Sequence, residues 1–114
     1  MERQVDRFNV KPTPGECRQI AEFLQGFSNP VRVEILCALR DGEKNVGEIA
    51  GRVGAKQSNI SQQLQILMAK GYVVRWRDER NIYYRLRRTQ QIYEVMEHIF
   101  QLVCRQGQGR TVGN

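Results

Sequence analysis

Residues 45–86 read NVGEIAGRVGAKQSNISQQLQILMAKGYVVRWRDERNIYYRL, and the order of structural signals within them decides the fold. Asn45 and Glu48 are spaced as a capping box, each side chain able to bond the other's backbone amide, so a helix starts there. Gly54 suits the left-handed turn that ends it. A second helix is predicted from about Gln57 to Ala69, because Ile60, Leu64, Leu67 and Met68 recur at helical spacing along one face. Gly71 stops it. Two short runs rich in β-branched and aromatic residues follow, Tyr72 to Arg77 and Asn81 to Leu86, with Asp78-Glu79-Arg80 able to turn between them. Helix, turn, helix and hairpin in this order form a winged helix-turn-helix, and that arrangement points to DNA.

The second helix carries chemistry suited to bases. Ser58, Gln62 and Gln65 fall opposite its apolar stripe, and glutamine pairs well with adenine in the major groove. The charge is one-sided: no Asp or Glu occurs between Ile49 and Arg77, whereas Arg52, Lys56, Lys70, Arg75 and Arg77 do. From Gly71 to Arg88 there are six arginines against Asp78 and Glu79. A phosphate backbone would sit in such a field, with Arg77 and Arg80 flanking the hairpin tip as its contacts. A basic hairpin also occurs as a solvated surface feature, but here it coincides with the helix-turn-helix pattern.

The whole chain of 114 residues, with a formal net charge of +6, has room for one domain and a thin core that needs help from a partner subunit. No apolar run approaches the roughly 20 residues of a membrane span, and Met1-Glu2-Arg3-Gln4 opens no signal peptide, so a cytoplasmic protein is expected. Three cysteines do not make a disulfide framework.

Around the motif lies a helical frame. Residues 1–12 read as a flexible, polar N-terminus and 106–114 as a flexible tail, with the folded unit at 13–105. Thr13-Pro14-Gly15-Glu16 combines an N-cap, proline at the first helical position and glutamate at the third, starting a helix to about Phe27. Asn29-Pro30 starts a second, expected to end at Asp41-Gly42. The last begins near Thr89 and runs to about Cys104, with Ile92, Val95, Met96, Ile99, Leu102 and Val103 on a broad apolar arc.

Helix, helix, helix-turn-helix, wing and helix in this length resembles the ArsR/SmtB family of bacterial repressors. Ser28-Asn29-Pro30-Val31-Arg32 with Ile35-Leu36 is similar to that family's second-helix signature, and Val46 to Ala50 with Ser58 to Leu64 to its DNA-reading core. Gly71-Tyr72-Val73 and Ile82 to Leu86 are similar to its wing. The resemblance covers residues 16–104 and implies a mainly α fold with a β-hairpin wing, homodimeric through the first and last helices. It implies an inverted-repeat operator in double-stranded DNA, contacted by Lys56, Gln57, Ser58, Asn59, Ser61, Gln62 and Gln65, with Arg77 and Arg80 from the wing. Gln63 stands where the family usually has histidine, and Lys56 where a capping serine or threonine is common.

What such a repressor senses turns on its cysteines and histidine. The family's metal site before the recognition helix uses a Cys-x-Cys pair, and Val46 to Val53 has no cysteine. Its zinc site on the last helix needs several histidines or carboxylates, whereas His98 stands alone, near Glu94 and Gln101, and reads as a solvated side chain. Cys37 lies nearly opposite the Val31, Ile35, Ala38 and Leu39 face, beside Val33 and between Glu34 and Arg40. Cys104 ends the last helix next to Arg105, a cation of the kind that favours a nucleophilic thiolate. One cysteine in the second helix and one at the end of the last resembles the family's dithiol branch, in which a disulfide or polysulfide link releases DNA. The implied inducer is reactive sulfur or an oxidant, with no metal and no cofactor. Two readings stand beside it: both cysteines as small buried hydrophobes, or thiolates of a metal or arsenite site, with Cys17 as its third sulfur or incidental. A regulator that displaces another DNA-bound protein is a further alternative. Nothing in the chain reads as catalytic.

Overall fold

The computed structural model describes residues 11–87 and 89–104. The expectations about residues 1–10, Arg88, Arg105 and the 106–114 tail lie outside these residues. The elements run α1 (Pro14–Leu24), a 3-10 turn (Gln25–Phe27), α2 (Pro30–Ala38), α3 (Val46–Val53), α4 (Gln57–Ala69), β1 (Val73–Asp78), β2 (Asn81–Leu86) and α5 (Thr89–Val103).

Local chemistry sets most of the helix ends. Both capping boxes form: the Thr13 hydroxyl accepts from the Glu16 amide at 3.1 Å, the Asn45 Oδ1 from the Glu48 amide at 2.8 Å, and each glutamate returns a bond to the cap amide at 2.9 Å. Asn29 caps α2 through the Val31 and Arg32 amides. Gly54 closes α3 with φ +80°, a left-handed conformation that glycine adopts without steric cost. α4 has no such device at its start, because the Lys56 side chain makes no cap bond.

Two helix ends differ from the sequence pattern: α1 gives way after Leu24 to the 3-10 turn that carries the chain to Phe27. α2 stops at Ala38, with Leu39 as its cap, rather than reaching Asp41-Gly42. The chain there tightens into shorter-range bonds, Arg40 to the Cys37 carbonyl and Gly42 to the Leu39 carbonyl. Leaving the helix early frees Lys44 to pair with Tyr84 of β2, amide to carbonyl in both directions at 3.0 and 2.8 Å.

The core gathers where α2, α3 and α4 meet the base of the wing. Ile35, Leu36, Ile49, Ile60, Leu64 and Leu67 have no exposed surface, and Leu39, Tyr72, Val73, Tyr84, Leu86, Ile92 and Met96 complete the cluster. The hairpin pairs Val73 with Leu86, Arg75 with Tyr84 and Arg77 with Ile82 on one face, running from the core outwards. On the other face Trp76 stacks on Tyr83 at 5.2 Å between ring centroids. Glu79 takes φ +60° at the turn, which compresses the loop to two residues between Asp78 and Asn81.

α1 sits apart from this core. None of its residues is buried, and it reaches the core cluster through Phe23, whose ring lies 5.3 Å from that of Tyr72. Phe27 meets the same ring at 5.7 Å. The three aromatics close over Gly26, where any Cβ would fall on the Tyr72 ring. Gly26→Ala should therefore destabilise the fold by about 1–3 kcal/mol through overpacking, and a urea melt checks it. An unchanged midpoint would mean that Tyr72 swings aside at no cost.

Candidate DNA interface and thiol groove

Burying Ile60, Leu64 and Leu67 turns the opposite side of α4 outwards. Ser58, Ser61, Gln62 and Gln65 are exposed along it, and Lys56 and Gln57 are exposed where it starts. Asn59 is half-buried, and its Oδ1 accepts from the Gln63 Nε2 at 3.4 Å. Gln63 in turn accepts at Oε1 from the Arg32 Nη1 at 2.9 Å. Arg77 and Arg80 are exposed at the far end of the wing.

Two of the basic side chains counted in the sequence have partners within the protomer. Arg52 meets Asp41 at 3.4 Å, and Lys70 donates to the Gln25 Oε1 at 2.7 Å. A hydrogen bond from Lys44 is the chief reason the Asp41 carboxyl sits below its ordinary range, with Arg52 adding to it. Lys56, Arg75, Arg77, Arg80 and Arg85 stay exposed on α4 and the hairpin. They are cations that a polyanion could meet.

A second feature lies on the other side of α2. An open groove of about 510 Å³ separates α2 from the second half of α5; Leu24, Val33, Cys37, Met96, Ile99 and Cys104 line its walls. The structure thus brings Cys37 and Cys104 to one cavity and leaves Cys17 on exposed α1, away from it. All three are free thiols. Cys37 is exposed as a residue, yet partial burial against the groove pushes its thiol above the ordinary cysteine range; Arg40 opposes this and Glu34 adds to it. Cys104 sits just past α5, its amide bonded to the Phe100 carbonyl at 2.8 Å. Arg40 is held by the Tyr93 ring, 5.3 Å from its centroid.

His98 is exposed and faces the Glu94 carbonyl of its own helix at 2.8 Å. Among the described residues, no three His, Cys, Asp or Glu side chains converge as a metal cluster. No helix among them is long and apolar enough to cross a membrane. Sequence reading missed Arg32 and its bonds to α4, although Arg32 stands inside the quoted Ser28-to-Arg32 segment. A contact between residues 31 apart leaves no periodic trace.

A helix-turn-helix with a polar outward helix and an arginine-bearing hairpin has the form of a winged-helix DNA-binding transcriptional regulator. Residues 29–74 match the family described as bacterial regulatory protein, arsR family. The chain is 33% identical over 88 residues to the biofilm growth-associated repressor of Xylella fastidiosa, covering 77% of this chain and 76% of that protein. It is similar to the crystal structure of the transcriptional repressor BigR from Xylella fastidiosa, with a TM-score of 0.73 and 31% identity over 79% of this chain and 91% of that one. It is also similar to reduced HlyU from Vibrio cholerae, with a TM-score of 0.70 and 30% identity over 79% of this chain and 94% of that one. The chain belongs to the ArsR family.

The raised pKa of Cys37 has a kinetic consequence. Since the thiolate is the nucleophile, the rate of Cys37 alkylation by iodoacetamide, followed by peptide mass mapping, should keep climbing at pH values where an unperturbed thiol has levelled off. Levelling at the ordinary cysteine pKa would show that burial does not govern this thiol.

Proposed function

We propose that the protein is a homodimeric, cytoplasmic repressor that reads a twofold-symmetric operator with α4 and the wing. It releases that operator when Cys37 and Cys104 become linked by oxidation or by persulfide-derived sulfur. The observation that carries this reading is the placement of both thiols on the walls of one groove between α2 and α5. The similarity to the repressor BigR and to an HlyU structure described as reduced supports it further.

The dimer is supported by apolar surface that one protomer leaves uncovered. Ile20 and Leu24 on α1, and Ile99, Phe100, Leu102 and Val103 on α5, are exposed, with Leu102 at 71%. Faces of this kind mark an interface. A symmetric dimer presents two copies of α4, and these must lie about 34 Å apart to enter successive major grooves.

The link needs no external oxidant beyond the sulfur donor. One thiolate attacks the outer sulfur of a persulfide R–S–SH, forming a protein persulfide and releasing R–SH. The second thiolate attacks the protein-bound inner sulfur and expels hydrosulfide, leaving a disulfide about 2 Å long; where the second cysteine has itself been persulfidated, its outer sulfur makes the same attack, expels hydrosulfide and leaves a trisulfide. That bond draws the end of α5 towards α2, and the dimer loses the spacing the operator requires.

Gel-shift titration of the parent and of each cysteine variant tests the switch. Reduced protein should bind and persulfide-treated protein should not; Cys37→Ser and Cys104→Ser should each stay bound after treatment, and Cys17→Ser should respond like the parent. Release by a treated Cys37→Ser variant would overturn the proposal. The DNA surface is tested separately. Gln62→Ala should cost about 1–3 kcal/mol at the contacted base, whereas Arg77→Ala with Arg80→Ala should weaken all sequences and reduce the salt slope by about one unit per lost phosphate contact. An unchanged slope would put the wing tip away from DNA.

A further inference from the structure

The recognition helix is held in depth by apolar packing, but packing of this kind is non-directional. Ile60, Leu64 and Leu67 fix how far α4 sits from α2 and α3, but all three bear on its buried face and none makes a hydrogen bond that sets the angle of the polar face. Rotation matters, because Ser58, Gln62 and Gln65 must reach base edges with the angular precision of hydrogen bonds. At the start of α4 the Lys56 side chain makes no cap bond.

Directional restraint comes from behind the helix. The Arg32 guanidinium, half-buried on α2, donates from Nη1 to the Gln63 Oε1 at 2.9 Å. From Nη2 it donates to the Gln25 carbonyl at 2.7 Å and the Ser28 hydroxyl at 3.1 Å. Gln63 passes the restraint one turn back to Asn59, and Lys70, at the end of α4, returns to the side chain of the same Gln25 at 2.7 Å. The middle and the end of α4 are thus tied to one short turn. A guanidinium suits this because its fork holds several acceptors at fixed angles, which an ammonium does not. Gln63 is next in sequence to Gln62, so fixing the one fixes the azimuth of the other.

We propose that Arg32, acting through Gln63, is a positioning residue for DNA readout: it sets the rotation of α4 and thereby sequence specificity, without touching DNA. The inference rests on α4 being the DNA-reading helix and is independent of the thiol switch.

The test uses reduced full-length protein and two duplexes, one selected by the parent from a random pool of about 30 base pairs and a scrambled version of it. Arg32→Lys keeps the charge and loses the fork; Gln63→Leu keeps the bulk and loses the acceptor. Each should weaken binding to the selected duplex about tenfold while leaving scrambled-duplex binding and the salt slope unchanged. The double variant should be no weaker than either single one, since both break one interaction. Gln63→Glu, which keeps an acceptor oxygen for Arg32, should retain the parent's ratio of selected to scrambled affinity. Equal losses on both duplexes, additive losses, or no loss would overturn the clamp. If Gln62→Ala loses the preference while Arg32→Lys keeps it, the clamp alone is wrong; if both keep it, or if the parent selects no duplex, α4 is not the reading helix and the clamp falls with it.

Discussion

The rest of the structure depends on the burial of one aliphatic face of α4 against α2 and α3. Ile60, Leu64 and Leu67 are fully enclosed with Ile35, Leu36 and Ile49, each stabilising the fold by about 1.5–3 kcal/mol relative to exposure. Against this, the missing N-cap at Lys56 costs about 1 kcal/mol. Packing wins, so α4 forms despite a poor start, and its polar face is turned outwards as a consequence. The same seam orders the chain that follows: Gly71, at φ +81°, turns it so that Tyr72 and Val73 join the core and the hairpin projects from it.

Much of this was legible in the sequence, because the decisive signals are local. The capping boxes, the left-handed Gly54 and the 3.6-residue spacing of α4 each depend on neighbours within a few positions, and the structure follows them to within a residue or two. What escaped was tertiary. The early end of α2 answers to the Lys44–Tyr84 pairing, 40 residues apart. Leu36 lies off the stripe read for α2 yet is fully buried, because α2 is covered by α3 on one side and α4 on another. The groove needed the relative placement of α2 and α5; the sequence offered two cysteines and their faces, but not a shared cavity.

The two regions of interest lie on different sides of α2. Its Arg32 reaches towards α4, while its Cys37 lines the groove below α5. α2 is the stiff member of the set, with Ile35 and Leu36 fully enclosed, and close-packed interiors do not deform continuously.

α5 is its opposite. Ile92 and Met96 anchor the first half in the core, whereas Leu102 and Val103 are 71% and 67% exposed within the protomer. In the proposed switch, a bond closing between a stiff helix and the end of α5 displaces the latter, because that end is held by the proposed dimer contact and not by the protomer's own core. The displaced segment is the one whose apolar face makes the proposed dimer, while the Arg32 clamp keeps each reading head intact. DNA release then follows from the changed spacing between two undamaged heads, not from the unfolding of either one, and reduction of the link restores binding without refolding.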